Sequence, residues 1–184
     1  MAIKYILHGG YAGHTNSQND EFYKEILKDT PDKLKVLLVY FAKEDDRITV
    51  NKEEDVAHFE NNMGNKVITF EVATEKDFSE QVRQANIIHL HGGATLKLLA
   101  ALKKHSDLKG LFGGKVVAGE SAGAYVLSAY FYSKTAGGLF PGLGLVPAKT
   151  ICHYIGENKE KLDEAPNNFE TLLLKDYEYK IFNL

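Results

Sequence analysis

Ser121 lies in Gly119-Glu120-Ser121-Ala122-Gly123, between an apolar run, Lys115-Val116-Val117-Ala118, and a small-residue and apolar segment, Ala124 to Tyr130. That order reads as strand, tight turn, helix. On such a turn the flanking glycines let strand and helix pass closely and throw the serine clear of the sheet, where its hydroxyl can meet a base and a substrate. The Ala122 N–H, at the start of the helix, would point to where negative charge develops on an attacked carbonyl oxygen. The chemistry on offer is acyl transfer to a serine. The plain alternative is a helix N-cap whose glycines serve only packing.

A serine hydroxyl needs a base within hydrogen-bond reach, and seven histidines compete for that role. His58 and His105 fall on polar helix faces, His14 lies in a loop and His89 inside a strand. His8 and His91 end strands, where packing or hydrogen bonding is the ordinary role. His153 is the choice, because a long glycine-rich stretch, Thr135 to Pro147, carries the chain back after the serine helix and delivers it. Its neighbour Cys152 invites a thiol reading, but adjacent strand residues point to opposite faces, so a buried cysteine is expected. Glu178 is taken as the acid that orients His153, with Asp176 and Glu157 as alternatives; flanked by Tyr177 and Tyr179 in an expected strand, it would face away from both and inward. Gly92-Gly93 follows a strand without a G-x-G-x-x-G or Walker pattern, so an oxyanion role suits it better than phosphate binding. A glycine N–H of this loop and the Ala122 N–H then make a pair of donors.

The elements that must position these groups follow from hydrophobic patterning. Ile3–Leu7, Val36–Phe41, Val67–Val72, Asn86–Leu90 and Val116–Val117 read as strands, and such continuous apolar runs suit a parallel sheet covered on both faces. Between them Phe22, Ile26 and Leu27, then Val56, Phe59 and Met63, then Phe78 and Val82, then Leu96 to Leu102 recur at helical spacing. Asn16, Ser17 or Asn19 would cap the first helix and Thr74 the third. The spacing predicts an α/β fold, an open and mostly parallel sheet with helices on both faces and ligands at the strand carboxyl ends. Thr135 to Pro147 reads as irregular. Thr171–Leu174 and Tyr177–Phe182 read as two closing strands, a hairpin turning at Lys175-Asp176.

The chain of 184 residues is expected to form one domain, residues 1–184, burying about two thirds of its unfolded surface. Its 22 basic and 25 acidic residues leave a net charge of -3 with no long run of one sign, which speaks against nucleic acid or an anionic membrane as partner. The single cysteine, the short apolar N-terminus and the lack of a membrane-length apolar run point to a cytoplasmic protein. A homodimer is compatible with this composition, and no cofactor is expected.

The motifs together resemble the aspartyl dipeptidase (peptidase E) and cyanophycinase family of serine peptidases. The matching pieces are His91-Gly92-Gly93-Ala94-Thr95 with its leucine-rich helix, Ala118 to Ala124, and Gly142-Leu143-Gly144-Leu145-Val146-Pro147 leading to His153-Tyr154. The resemblance implies a fold similar to class I glutamine amidotransferases and a small peptide or amide as substrate. It also implies acylation of Ser121, His153 as base, Gly93 and Ala122 as oxyanion donors, and no metal. In aspartyl dipeptidases an aspartate follows the serine helix near the position of Ala136, whereas Tyr130 to Leu139 here contain no acid. Two other readings stand beside the hydrolase. An α/β-hydrolase esterase would order its triad Ser, Asp, His, yet no acid lies between Ser121 and His153. A non-catalytic binding or regulatory protein would keep the cleft without a complete triad.

Overall fold

The wholly apolar runs become the middle of a parallel sheet. The computed structural model describes residues 2–184. In chain order the first sheet's elements are β1 (Lys4–His8), α1 (Ser17–Leu27), β2 (Lys33–Val39), α2 (Asp45–Asn62), β3 (Val67–Val72), α3 (Phe78–Gln84), β4 (Ile87–Leu90), α4 (Thr95–Leu102), α5 (Leu108–Phe112), β5 (Val116–Glu120) and α6 (Ala122–Leu127). After them come β6 (Ser128–Ser133), β7 (Gly138–Pro141), β8 (Val146–Ile151), a 3-10 turn at Lys159–Glu164, β9 (Glu170–Leu173) and β10 (Tyr179–Asn183). Strands β1 to β5 and β10 form a six-stranded sheet in the order β10-β1-β5-β4-β2-β3, parallel except for β10 at its edge.

Side chains alternate across the sheet with a period of two, and each face meets its own helices. Leu7, Leu37, Val39, Ile88, Leu90 and Val117 pack with Phe78, Leu98, Leu102 and Phe112 of α3 to α5. Ile6, Val36, Leu38, Ile87 and Ala118 pack on the other face with Phe22, Ile26 and Phe59 of α1 and α2. Helices therefore cover both faces, as the patterning predicts. Of the three caps that the sequence offers for α1, the helix uses Asn16, whose side chain accepts the Gln18 N–H at 2.8 Å. The tight passage of α6 over the sheet requires Gly123, because a Cβ there would stand 2.2 Å from Leu90 O.

Three sequence readings are corrected beyond α6. Ala124 to Tyr130 does not stay helical: the helix ends at Leu127 and the chain turns directly into β6, whose Ser-Ala-Tyr-Phe-Tyr-Ser alternates in burial. The glycine-rich stretch is not wholly irregular either, since it contains β7 and leads into β8. Third, β9 and β10 are not a hairpin: β9 pairs parallel with β8, and β10 crosses to pair antiparallel with β1. Strands β6 to β9 form a second sheet, ordered β7-β6-β8-β9. Its Phe131, Val146, Ala148 and Leu172 share the core under α6. Among the described residues no helix is long and apolar enough to cross a membrane.

Candidate active site

Ser121 leaves β5 at a backbone angle that few residues adopt. Its φ of 48° and ψ of -100° put it outside both strand and helix, and although it holds the N-cap position of α6 its side chain makes no capping bond. The plain N-cap reading fails on that point. The turn is held at both ends, because Ser121 N–H donates to His8 O at 2.9 Å and Ser121 O accepts the first helical bond from Tyr125 N–H at 2.9 Å. Strain of about 1–3 kcal/mol at such a residue persists only where its surroundings fix it.

The freed hydroxyl meets His153, with Oγ 2.9 Å from Nε2. His153 Nδ1 lies 2.6 Å from Asp176 Oδ1. An ionised carboxylate only accepts, so Nδ1 carries the proton and Nε2 presents its lone pair to the Ser121 hydroxyl. The second sheet places the imidazole: β8 runs out through Cys152, His153 N–H donates to Gly9 O at 3.0 Å, and Tyr154 N–H to Leu174 O at 3.0 Å. From α6, the Tyr125 hydroxyl accepts the Cys152 N–H at 3.0 Å and donates to Cys152 O at 3.3 Å. Cys152 itself is 3% exposed and turned into the core, and burial pushes its thiol well up, so it is no thiolate.

The carboxylate that touches the imidazole differs from the one chosen on sequence. Glu178 does not reach the imidazole; its Oε2 accepts the Lys175 N–H at 3.0 Å and closes the turn from Lys175 to Glu178. Tyr177 in that turn has φ 68°, so strand alternation has not begun at Glu178, and β10 starts one residue later. Asp176, held as an alternative, is the carboxylate on His153. The turn is tied to the first loop, with Tyr177 N–H on Gly10 O at 3.2 Å and Gly9 N–H on Glu178 O at 2.8 Å. Glu157 lines the cleft and touches neither Ser121 nor His153.

The loop after β1, Gly9 to His14, was not legible as part of the site. Gly10, at φ 137°, lies so close beneath the imidazole that a Cβ would stand 2.0 Å from His153 Cε1. Tyr11 presents an edge to the His153 ring at 5.3 Å and stacks on His14 at 4.7 Å. Asn19 of α1 donates to Tyr11 O and His14 O at 2.8 and 2.7 Å. That amide orientation leaves its oxygen to accept from His8 Nε2 at 3.0 Å, while His8 Nδ1 accepts the Gly10 N–H at 3.1 Å. His8 is therefore the neutral tautomer, and burial lowers its pKa to about 4 against the raising fields of Glu120 and Asp176.

Gly93 lines the same cleft as Ser121, with φ 144°. Its conformation is fixed by the next residue, whose N–H donates to Ala42 O at 2.9 Å. Among the described residues neither the Gly93 N–H nor the Ala122 N–H donates to a protein acceptor. The cleft measures about 540 Å³, and Lys134, Ser133, Tyr154, Ile155 and Asn158 contribute to its walls. With His153 at 41% and Asp176 at 35% side-chain exposure, the dyad faces that opening. No group of three or more His, Cys, Asp or Glu side chains among the described residues is placed to hold a metal ion.

Solved structures share this architecture. A peptidase from an acI-B1 Actinobacterium, known from a crystal structure, superposes with a TM-score of 0.71 at 19% identity, over 99% of this chain and 84% of that one. A putative peptidase E protein from Listeria monocytogenes EGD-e does so with a TM-score of 0.67 at 18% identity, over 100% of this chain and 95% of that one. At such identities the likeness carries the fold. Among curated proteins none matches this sequence. The model of Peptidase family S51 matches residues 6–176, a span that takes in Ser121, His153 and Asp176, and the chain therefore belongs to this family of serine peptidases.

Proposed function

We propose that this serine peptidase cleaves short peptides or small amides through an acyl-enzyme on Ser121. One observation carries the reading: the unbroken hydrogen-bond chain from Ser121 Oγ through His153 to Asp176, at 2.9 and 2.6 Å. His153 Nε2 takes the hydroxyl proton as Oγ attacks the carbonyl carbon. Asp176 holds the proton on Nδ1 and stabilises the imidazolium that forms. The carbonyl oxygen becomes an oxyanion facing the Gly93 and Ala122 N–H groups, whose lack of other acceptors supports that role. His153 then gives the proton to the leaving amine, and water, activated by the same imidazole, hydrolyses the ester. A cleft of about 540 Å³ suits a short peptide, not a folded protein. The buried, unpaired Cys152 is in keeping with a reducing compartment such as the cytoplasm.

A fluorophosphonate probe tests the reading. Wild type is expected to take one label per chain and Ser121→Ala none. Labelling that survives in Ser121→Ala, or folded wild type that resists the probe, would reject it.

A further inference from the structure

Beside Ser121 the chain buries a carboxylate that hydrolysis does not consume. Glu120 ends β5, is 6% exposed, and points to the α1–α2 face of the sheet while Ser121 turns to the cleft. Its two oxygens serve two different loops. Oε1 accepts the Ala12 N–H at 3.1 Å, and Oε2 accepts the Gly92 N–H at 3.4 Å. The first loop carries Gly10, on which the His153 ring rests, and Tyr11, which edges against it. The second carries Gly93, and a Cβ at Gly92 would stand only 3.3 Å from Ser121 Cβ.

No lysine or arginine reaches this carboxylate. It faces His91, whose Nδ1 lies 3.6 Å away, with Asp55 3.8 Å beyond on Nε2, and His8 and His89 stand nearby. A buried carboxylate costs several kcal/mol unless it is compensated. Burial pushes the pKa of this one up, the fields of His91, His89 and His8 more than offset that, and the Ala12 amide adds to them, with the Gly92 amide at a longer 3.4 Å. The position could be filled at lower cost by an apolar side chain, which would leave both loops untied.

We propose that Glu120 is a positioning residue: it locks the Gly92-Gly93 loop and the Gly10–Ala12 loop to the residue before Ser121, so that oxyanion donor and imidazole are registered on one hydroxyl. This rests on the acyl-enzyme reading above. The perturbation that probes it is Glu120→Gln, nearly isosteric, whose single carbonyl oxygen can accept from one loop amide while its NH2 opposes the other. Misplacing one oxyanion donor costs on the order of a hundredfold, so kcat falls about 10- to 100-fold on a dipeptide amide, with KM within about threefold.

Amide hydrogen exchange supplies the second readout. In wild type, Ala12 and Gly92 exchange more slowly than Gly13 of the same loop, and in Glu120→Gln at least one of the two speeds up. A kcat within twofold of wild type in the folded variant overturns the proposal. So does a rise in KM that accounts for the whole loss, since that is disorder of the cleft and not misregistration. Should the variant not fold, exchange in wild type decides alone, and Ala12 and Gly92 amides as labile as Gly13 overturn it. Wild type that resists fluorophosphonate would sink the acyl-enzyme reading while leaving the exchange comparison to judge the tie.

Discussion

Gly10→Ala asks most directly how the imidazole is held. A Cβ on Gly10 would stand 2.0 Å from His153 Cε1, 2.6 Å from Nδ1 and 2.7 Å from Nε2. Non-bonded carbons settle at about 3.5–4.0 Å, so the ring must retreat by about 1.5–2 Å. The Ser121 contact, now 2.9 Å, then exceeds the distance at which a hydrogen bond persists. A displacement of about 1 Å in a catalytic group costs on the order of a hundredfold, so the second-order rate of fluorophosphonate labelling falls at least about 100-fold. An alanine at φ 137° also strains the backbone by about 1–3 kcal/mol, so the rate is measured where circular dichroism shows full folding. Gly13→Ala supplies the control, since its nearest neighbour is Glu54 Oε2 at 3.5 Å; its stability stays within about 0.5 kcal/mol and its rate is unchanged. A Gly10→Ala protein reacting within threefold of wild type would refute the packing argument.

Asp176→Asn lowers kcat by roughly 10³- to 10⁴-fold by favouring the wrong imidazole tautomer. Glu178→Gln, whose amide oxygen still accepts the Lys175 N–H, stays within about threefold of wild type, and the reverse ranking would restore Glu178 as the acid. Tyr125→Phe strands the Cys152 N–H, which should cost about 1–3 kcal/mol in urea unfolding and slow labelling; unchanged stability would remove Tyr125 from the support of His153. For pH, the unfolded chain protonates His8 near 6.5 and the folded chain only near 4, so between those values the unfolded state binds more protons and stability falls with falling pH. At about 1.4 kcal/mol per pH unit the loss reaches about 3 kcal/mol by pH 4, and His89, also lowered by burial, adds in the same direction. Urea midpoints at pH 7, 5.5 and 4 should show a shallower decline in His8→Gln, and an equal decline would exclude His8 as a source.

The parallel sheet was legible because its middle strands are apolar on both faces. Val36 to Val39 are buried one after another, which only a doubly covered strand produces. What local pattern could not settle is pairing at a distance. Five residues separate β9 from β10, a spacing that suits a hairpin, but the free edge of β1 takes β10 and the free edge of β8 takes β9. Ala124 to Tyr130 defeated periodicity for another reason: six helical residues are too few to establish a period of 3.6 before Ser128 changes it to two.

The contact between Ser121 and His153 was legible because each is announced by its own surroundings, a glycine-flanked turn and a glycine-rich approach. The carboxylate that meets His153 is announced by nothing local, since Asp176 and Glu178 sit two residues apart and either could have faced inward. What separates them is the turn itself. Tyr177 at φ 68° reverses the chain, spends the Glu178 carboxylate on Lys175 N–H, and leaves Asp176 at the apex facing His153. The same turn bonds to Gly9 and Gly10, and Gly9 O receives His153 N–H. Asp176, His153 and the first glycine loop thus form one hydrogen-bonded unit that docks on Ser121 from the second sheet and the β1 side. The serine is fixed by β5 and α6, with its own N–H on His8 O at the end of β1. A perturbation in the Lys175–Glu178 turn should therefore shift His153 and Asp176 together, lengthening the 2.9 Å contact to Ser121 before the 2.6 Å one between them.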